Sequence, residues 1–106
     1  MNPNNDLTAL RDKLREFAAE RNWRPYHTPK NLAMALIVEA AELVEHFQWA
    51  TPEESSALSP DKAAAVQDEV ADVLIYLIEL ADVLDIDLVQ AAHGKIAKNA
   101  LKYPVA

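Results

Sequence analysis

Two pairs of acidic residues, each with three-residue spacing, are the groups in this chain best placed to do chemistry. The stretch LIVEAAELVEH carries Glu39 and Glu42, and the stretch DEVADVLIYL carries Glu69 and Asp72. Residues three apart on a helix lie one above the other, so each pair projects two carboxylates from a single face. Both pairs stand among apolar residues, where an unpaired carboxylate is costly to bury and usually protonates or finds a cation. The pattern therefore indicates a positively charged ligand.

A metal ion fits this pattern if the two helices pack antiparallel and bring the carboxylates together. Two unit charges about 4 Å apart repel by roughly 4 kcal/mol at an effective dielectric near 20. Mg²⁺ and Mn²⁺ relieve such repulsion and prefer oxygen ligands. Either pair alone is typical of a solvated helix face, which is the alternative. A di-iron site is disfavoured because it uses Glu-x-x-His motifs on two helices, and His46 follows Glu42 by four positions rather than three.

A row of polar side chains near the C-terminus is the second candidate for chemistry. Its members recur at helical spacing and are Lys95, Lys98, Asn99 and Lys102. Ammonium groups on one helix face could hold phosphate oxygens through charge-assisted hydrogen bonds. A solvated cationic face, which is favourable near a helix C-terminus, is the alternative.

Aromatic side chains bracket the first acidic pair in the sequence. Trp23, Tyr26 and His27 lie in the proline-containing segment NWRPYHTP, and Trp49 follows the acidic stretch. Aromatic rings at the ends of helices suit a pocket in which a nucleotide base stacks. The alternative is that these rings close the end of a helical bundle, with His27 as a packing or hydrogen-bonding residue.

The elements that must position these groups are helices. The chain has a single Gly, which argues against β-hairpins, and its abundant Ala, Leu, Glu and Lys favour helices, so the predicted fold class is all-α. Apolar periodicity and cap signals predict four helices and one capped turn. The helices span about residues 6–21, 29–48 and 60–84, with the last running from a cap at Asp85 or Asp87 to near residue 101, and the capped turn is residues 51–54.

Length and composition predict one domain that associates with copies of itself. The 106 residues, of which 51% are apolar, suffice for one domain spanning residues 1–106. The third helix is apolar around most of its circumference, which predicts neighbours on all sides and hence a homo-oligomer. The net charge of −7 speaks against binding to nucleic-acid polymers.

The same composition predicts a cytoplasmic location. The chain has no cysteine, as is typical of proteins that need no disulfide framework. Its first stretch, MNPNNDLTAL, lacks the cationic start and apolar segment of a signal peptide. Acidic residues interrupt the longest apolar segments, so neither a membrane span nor a membrane partner is expected.

With these residues in view, the sequence resembles the all-α nucleoside triphosphate pyrophosphatases, and most of all the MazG-like branch that includes dCTP pyrophosphatase. The similarity is carried by FAAERNW, the segment from His27 to Asn31, LIVEAAELVEHFQW, DEVADVLIYL and KIAKNALKYP. The ordered pairs ExxE and ExxD, with tryptophans at both ends of the first block, make the match specific. The fold implied is a four-helix bundle that assembles as a homodimer or homotetramer, with sites completed across subunits.

The resemblance implies a Mg²⁺-dependent hydrolase, with Mn²⁺ as a substitute ion, that converts a nucleoside triphosphate into a monophosphate and pyrophosphate. Two acidic pairs would bind the metal and carry catalysis, with a water activated to attack the α-phosphorus. They are Glu39, Glu42, Glu69 and Asp72. The residues implied for substrate binding are Lys95, Asn99, Lys102 and Tyr103 at the phosphates, Tyr76 lining the site, and Trp23, His27 and Trp49 around the base.

Two departures bear on the substrate that the resemblance implies. Val38 precedes Glu39 where many MazG-like motifs have a second glutamate, and in this the chain is similar to the dCTP-specific relatives. Those relatives tend to have a His near the base on the first helix, where this chain has Leu14. We expect dCTP or a modified dCTP as substrate, with Glu42 preferred as general base. Another nucleotide, such as dUTP or an oxidised purine nucleotide, and a non-catalytic helical interaction module are the alternatives.

Overall fold

The computed structural model describes residues 6–106, and these form five α-helices, one short 3₁₀ turn and no β-strand. The helices are α1 (Leu7–Glu20), α2 (Pro29–Glu45), α3 (Pro52–Ser55), α4 (Pro60–Val83) and α5 (Leu88–Lys102), and the 3₁₀ turn is Arg24–Tyr26. The all-α prediction is confirmed. The expectation that the chain has no signal peptide falls partly on residues 1–5, which lie outside the described residues.

Each α-helix begins at a side chain that accepts a hydrogen bond from an amide three residues further on. The acceptors for the four long helices are Asp6, Thr28, Ser59 and Asp87, at distances from 2.7 to 3.3 Å. At α3, Thr51 and Glu54 cap each other through two bonds of 3.1 Å. Such caps satisfy amides that otherwise have no partner and contribute about 1 kcal/mol each. They account for the helix starts that the sequence predicts.

Two helix boundaries could be determined only from the structure. α2 ends at Glu45 rather than three residues later, because the amides of His46 and Phe47 bond to carbonyls only three residues back, and this tighter winding does not continue an α-helix. Asp87 rather than Asp85 caps α5. Asp85 instead has a left-handed φ of 56° in the turn between α4 and α5.

α4 is the central element, and α2 and α1 both pack against it. Its 24 residues make it about 36 Å long. The buried apolar side chains come from all three helices: Ala18 from α1, Leu32 from α2, and Ile78 and Ala81 from α4. The core of the single chain is therefore small and lies where these three helices meet.

A bidentate ion pair ties α1 to α4 beside this core. Nε and Nη2 of Arg15 donate to the two carboxylate oxygens of Asp82, at 2.8 and 2.5 Å. The guanidinium holds the pKa of Asp82 below its ordinary value. Because both bonds must form together, the pair fixes the orientation of α1 on α4 as well as adding charge attraction.

Much of the apolar surface is uncovered in a single chain. No residue of α5 is buried, and Ile37, Ile96 and Leu101 are 65%, 65% and 85% exposed. The radius of gyration is 16.6 Å, whereas a compact chain of this length has about 13 Å. The helices thus form an open scaffold. Within residues 6–106, no helix is long and apolar enough to cross a membrane.

Replacing Leu32 should test the core directly. Its side chain is 2% exposed, so Leu32→Ala is expected to lower the free energy of unfolding by about 2–5 kcal/mol. Leu101→Ala removes the same atoms from a side chain that is 85% exposed, and a change within about 0.5 kcal/mol is expected there. Urea denaturation of dilute protein measures both. Equal losses in the two variants would contradict the assignment of the core.

Candidate metal and nucleotide site

The two acidic pairs meet between α2 and α4, which run in opposite directions. Glu39, in the second half of α2, faces Glu69 and Asp72 near the middle of α4, whereas His27, just before α2, faces Glu79 near the end of α4. One carboxylate oxygen from each of Glu39, Glu69 and Asp72 lies within 4.8 Å of the other two. All three side chains are half-buried. The antiparallel packing expected from the sequence is therefore present, and it brings three of the four predicted carboxylates into one small space.

Glu42, the fourth predicted carboxylate, lies beside Glu39 and outside this trio. Burial raises the pKa of Glu39 to about 7, and close contact with Glu69 and Glu42 and the charges of Glu42 and Asp72 act in the same direction. We call these four residues the acidic cluster. The structure shows their proximity, and their roles as ligands and catalysts stay predictions.

Two oxygen atoms of the acidic cluster, Oε2 of Glu39 and Oε2 of Glu69, are buried and have no hydrogen-bond partner among residues 6–106. Buried acceptors of this kind are rare, because they lose hydration without compensation. A hard divalent cation binds carboxylate oxygens and cancels their mutual repulsion. The cluster offers carboxylates and no imidazole, which suits Mg²⁺ or Mn²⁺ better than a di-iron centre. The residues present therefore fit a divalent metal ion.

Tyr76 borders the acidic cluster on α4, one helical turn after Asp72. Burial raises the pKa of its hydroxyl, and the charges of Glu39, Glu79 and Asp72 raise it further. The phenol is thus held as a neutral O–H donor among carboxylates. This position agrees with the predicted role of Tyr76 as a residue that lines the site.

Glu79 is not among the site residues predicted from the sequence, yet it lies beside His27 in the structure. His27 Nδ1 lies 3.7 Å from Glu79 Oε2, and the two side chains are 19% and 15% exposed. The missed signal was helical spacing, since steps of three and four residues define one helix face. We call the face so formed the polar stripe of α4, and its members are Glu69, Asp72, Tyr76 and Glu79. The stripe leads from the acidic cluster to His27.

The two tryptophans predicted for the base pocket lie at opposite ends of α2. Trp23 precedes the 3₁₀ turn and packs edge-on against Phe17, with ring centroids 5.7 Å apart. Trp49 follows α2 and is 89% exposed, beside a shallow cavity of about 650 Å³. The 17 residues of α2 span about 25 Å. Within one chain, Trp49 therefore does not share a pocket with Trp23 and His27.

The predicted phosphate-binding row lies on α5, and we call it the α5 stripe. Its members are Lys95, Lys98, Asn99 and Lys102, and all three lysines are exposed. None of these lysines is ion-paired within residues 6–106. Tyr103, directly after the helix, is 68% exposed. A single chain thus presents the α5 stripe to solvent and does not pair it with the acidic cluster.

An all-α scaffold with a carboxylate cluster between antiparallel helices is of the kind that holds divalent metal ions. Residues 34–106 match the model of the MazG-like family. A crystal structure of a pyrophosphatase from Archaeoglobus fulgidus DSM 4304 is 46% identical in sequence, with a TM-score of 0.84 over 89% of this chain and 88% of that chain. The chain belongs to the MazG-like family, and the resemblance seen in the sequence is confirmed.

Mammalian proteins named dCTP pyrophosphatase 1 are also similar to this chain. The Bos taurus protein is 49% identical over 92 residues, which are 85% of this chain and 54% of that protein. The Homo sapiens protein is 44% identical over 104 residues, which are 96% of this chain and 61% of that protein. The chain spans less than two thirds of the length of these relatives.

The raised pKa of Glu39 predicts a pH dependence of stability in metal-free protein. Folding raises this pKa from 4.5 to about 7, so the folded state keeps a proton that the unfolded state has lost. The stabilisation is full below pH 4.5 and is lost as the pH rises through about 7. Glu39→Gln should remove this dependence and raise Tm on the alkaline side. Thermal denaturation in EDTA on both sides of this range measures it.

Glu45→Gln is the matched control for this experiment, because Glu45 is an exposed glutamate of the same helix. Its Tm should follow the same pH dependence as the unaltered chain. Parallel pH curves for Glu39→Gln and Glu45→Gln would contradict the assignment of the effect to the acidic cluster.

Proposed function

We propose that this chain is a Mg²⁺-dependent nucleoside triphosphate pyrophosphohydrolase that acts in the cytoplasm. It hydrolyses the bond between the α- and β-phosphates and releases a nucleoside monophosphate and pyrophosphate. The observation that carries the proposal is the acidic cluster, in which three carboxylate oxygens lie within 4.8 Å of one another and two buried oxygens have no hydrogen-bond partner in the described part of the chain. Membership of a family with pyrophosphatase relatives supports the same chemistry.

The residues of the acidic cluster divide into two roles in this proposal. Glu39, Glu69 and Asp72 hold the ion, because their oxygens converge. When bound, Mg²⁺ neutralises phosphate charge and makes a water molecule more acidic. Glu42, which lies next to Glu39 but outside the converging trio, accepts the proton of the attacking water as general base in this proposal. Tyr76 donates its O–H to a phosphate oxygen at the edge of the site.

The substrate we propose is dCTP or a modified dCTP, since the mammalian relatives are named dCTP pyrophosphatase 1. The phosphates require cationic and hydrogen-bonding partners, and the base requires an aromatic pocket. The partners proposed for the phosphates are Lys95, Asn99, Lys102 and Tyr103, and those for the base are Trp23, His27 and Trp49.

A second copy of the chain completes the site in this proposal. Trp49 is separated from Trp23 by the length of α2, and the α5 stripe is not paired with the acidic cluster of its own chain. Both missing parts of the site are provided if a neighbouring copy supplies Trp49 and α5. Burial of the exposed apolar side chains provides the driving force, at about 25 cal/mol per Å² of apolar surface. The assembly proposed is a homodimer or homotetramer.

A panel of triphosphates assayed with Mg²⁺ tests the reaction and the substrate. We expect dCTP to be hydrolysed fastest among dCTP, dUTP, dTTP, dATP, dGTP and CTP, with dCMP and pyrophosphate as the products. Chromatographic separation of the products decides the bond that breaks. Release of orthophosphate would indicate a different phosphatase, and no turnover of any nucleotide would favour a non-catalytic interaction module.

Neutral variants of the acidic cluster test the site. Glu42→Gln and Asp72→Asn should each lower turnover by at least roughly a hundredfold, which is the scale of losing a general base or its equivalent. Each has a matched control on the same helix: Glu45→Gln on α2 and Asp68→Asn on α4, both at exposed positions. The controls should retain turnover close to that of the unaltered chain. Near-normal activity in both site variants would rule out the assignment.

A further inference from the structure

His27 and Glu79 line a cavity of about 130 Å³ that also borders α1, the 3₁₀ turn and α4. Because one water takes about 30 Å³ in the liquid, the cavity has room for several waters or one small planar ring. Its ionisable lining residues are Arg11, Arg15, Arg24, His27, Glu79 and Asp82. It is therefore a polar space with both signs of charge.

Of the two carboxylates that line the cavity, Glu79 is the one with an unsatisfied hydrogen-bond acceptor among the described residues. Asp82 is satisfied, because it accepts two hydrogen bonds from Arg15. Oε2 of Glu79, in contrast, is buried without a hydrogen-bond partner among residues 6–106. The His27 Nδ1 that faces it is 3.7 Å away, which is too far for a hydrogen bond. Burial raises the pKa of Glu79 against the opposing effect of His27.

The polar stripe of α4 connects this cavity to the acidic cluster. Glu79 follows Asp72 by seven residues, which is two helical turns on the same face and about 10.5 Å along the axis. Tyr76 lies between them, and the charges of both carboxylates raise the pKa of its hydroxyl. If a nucleotide with its phosphates at the acidic cluster lies along this stripe, the base at its far end comes to Glu79.

We infer that Glu79 selects an amino-bearing pyrimidine base by accepting a hydrogen bond from its exocyclic amino group. This inference rests on one part of the proposed function, the binding of the phosphates at the acidic cluster, and does not require hydrolysis. An ionised carboxyl group accepts hydrogen bonds and donates none. Cytosine presents an amino group at the ring position where uracil and thymine present a carbonyl oxygen, which a carboxylate repels. The cavity of about 130 Å³ accepts one ring more readily than the two fused rings of a purine.

Binding of two triphosphate analogues tests the inference without relying on turnover. The α,β-imido forms of dCTP and dUTP, which resist hydrolysis at the α–β position, are titrated calorimetrically into the full chain with Mg²⁺. The unaltered chain should bind the dCTP analogue roughly 10- to 100-fold more tightly, the range expected for one hydrogen bond to a charged group. Glu79→Leu should remove this preference, because it takes away both the acceptor for the amino group of the dCTP analogue and the repulsion of the carbonyl oxygen of the dUTP analogue.

Glu79→Gln distinguishes selection from a structural role. An amide can turn its oxygen to an amino group or its NH₂ to a carbonyl oxygen. The variant should therefore bind the dCTP analogue within about threefold of the unaltered chain and bind the dUTP analogue about tenfold more tightly than that chain does. Glu16→Gln, an exposed glutamate on α1, is the control and should change neither affinity.

Equal affinity of the unaltered chain for the two analogues would overturn the inference. Equal weakening of both analogues by Glu79→Leu and Glu79→Gln would also overturn it, as would an unchanged preference, which would place the amino group of the base away from Glu79. If circular dichroism shows that Glu79→Leu does not fold, the gain of dUTP binding in Glu79→Gln decides.

A preference for the dCTP analogue in a chain that hydrolyses no dCTP would reject the proposed function and leave this inference standing. Hydrolysis of dCTP without any binding preference would do the reverse.

Discussion

The structure depends on one constraint: α2 and α4 must pack together although several carboxylates lie between them. Glu39, Glu69 and Asp72 lie in the seam between α2 and α4, where apolar contacts would otherwise continue. Two unit charges about 4 Å apart repel by roughly 4 kcal/mol at an effective dielectric near 20, and a whole domain is typically stable by only about 5–15 kcal/mol. The folded chain relieves part of this repulsion by keeping a proton, since the pKa of Glu39 rises to about 7. Stability of the α2–α4 seam and affinity for a cation are therefore two aspects of one electrostatic balance.

The open shape of the chain follows from how its apolar residues are distributed. α4 receives α2 and α1, and the ion pair of Arg15 with Asp82 fixes one of these contacts. α5 buries none of its residues, although it carries Ile96 and ends near Leu101, both largely exposed. The chain is 51% apolar and has a radius of gyration of 16.6 Å, so much of its apolar surface stays exposed to water. Association between chains can bury this exposed apolar surface.

The helices and the acidic cluster were predictable because they depend on residues close together in the sequence. The features that the prediction missed depend on contacts between residues that are distant in the sequence. Caps and apolar periodicity act within a few residues, so the sequence predicts the helix starts and the facing pairs of carboxylates. The end of α2 depends on a change to tighter winding that no nearby proline or glycine signals. Glu79 becomes notable only through His27, which is distant along the chain. The separation of Trp23 from Trp49, in contrast, follows from the sequence, because the helix predicted over residues 29–48 lies between them.

The separation of Trp23 and Trp49 by α2 has a consequence for mixtures of intact and damaged copies of the chain. If each site takes parts from two copies, a damaged copy disables sites that it shares with intact partners, so the loss exceeds its share of the population. Two copies damaged in different parts behave in the opposite way, because their association can assemble one complete site from the intact halves. Damage to this protein would then be partly dominant in mixtures, and some pairs of defects would complement each other.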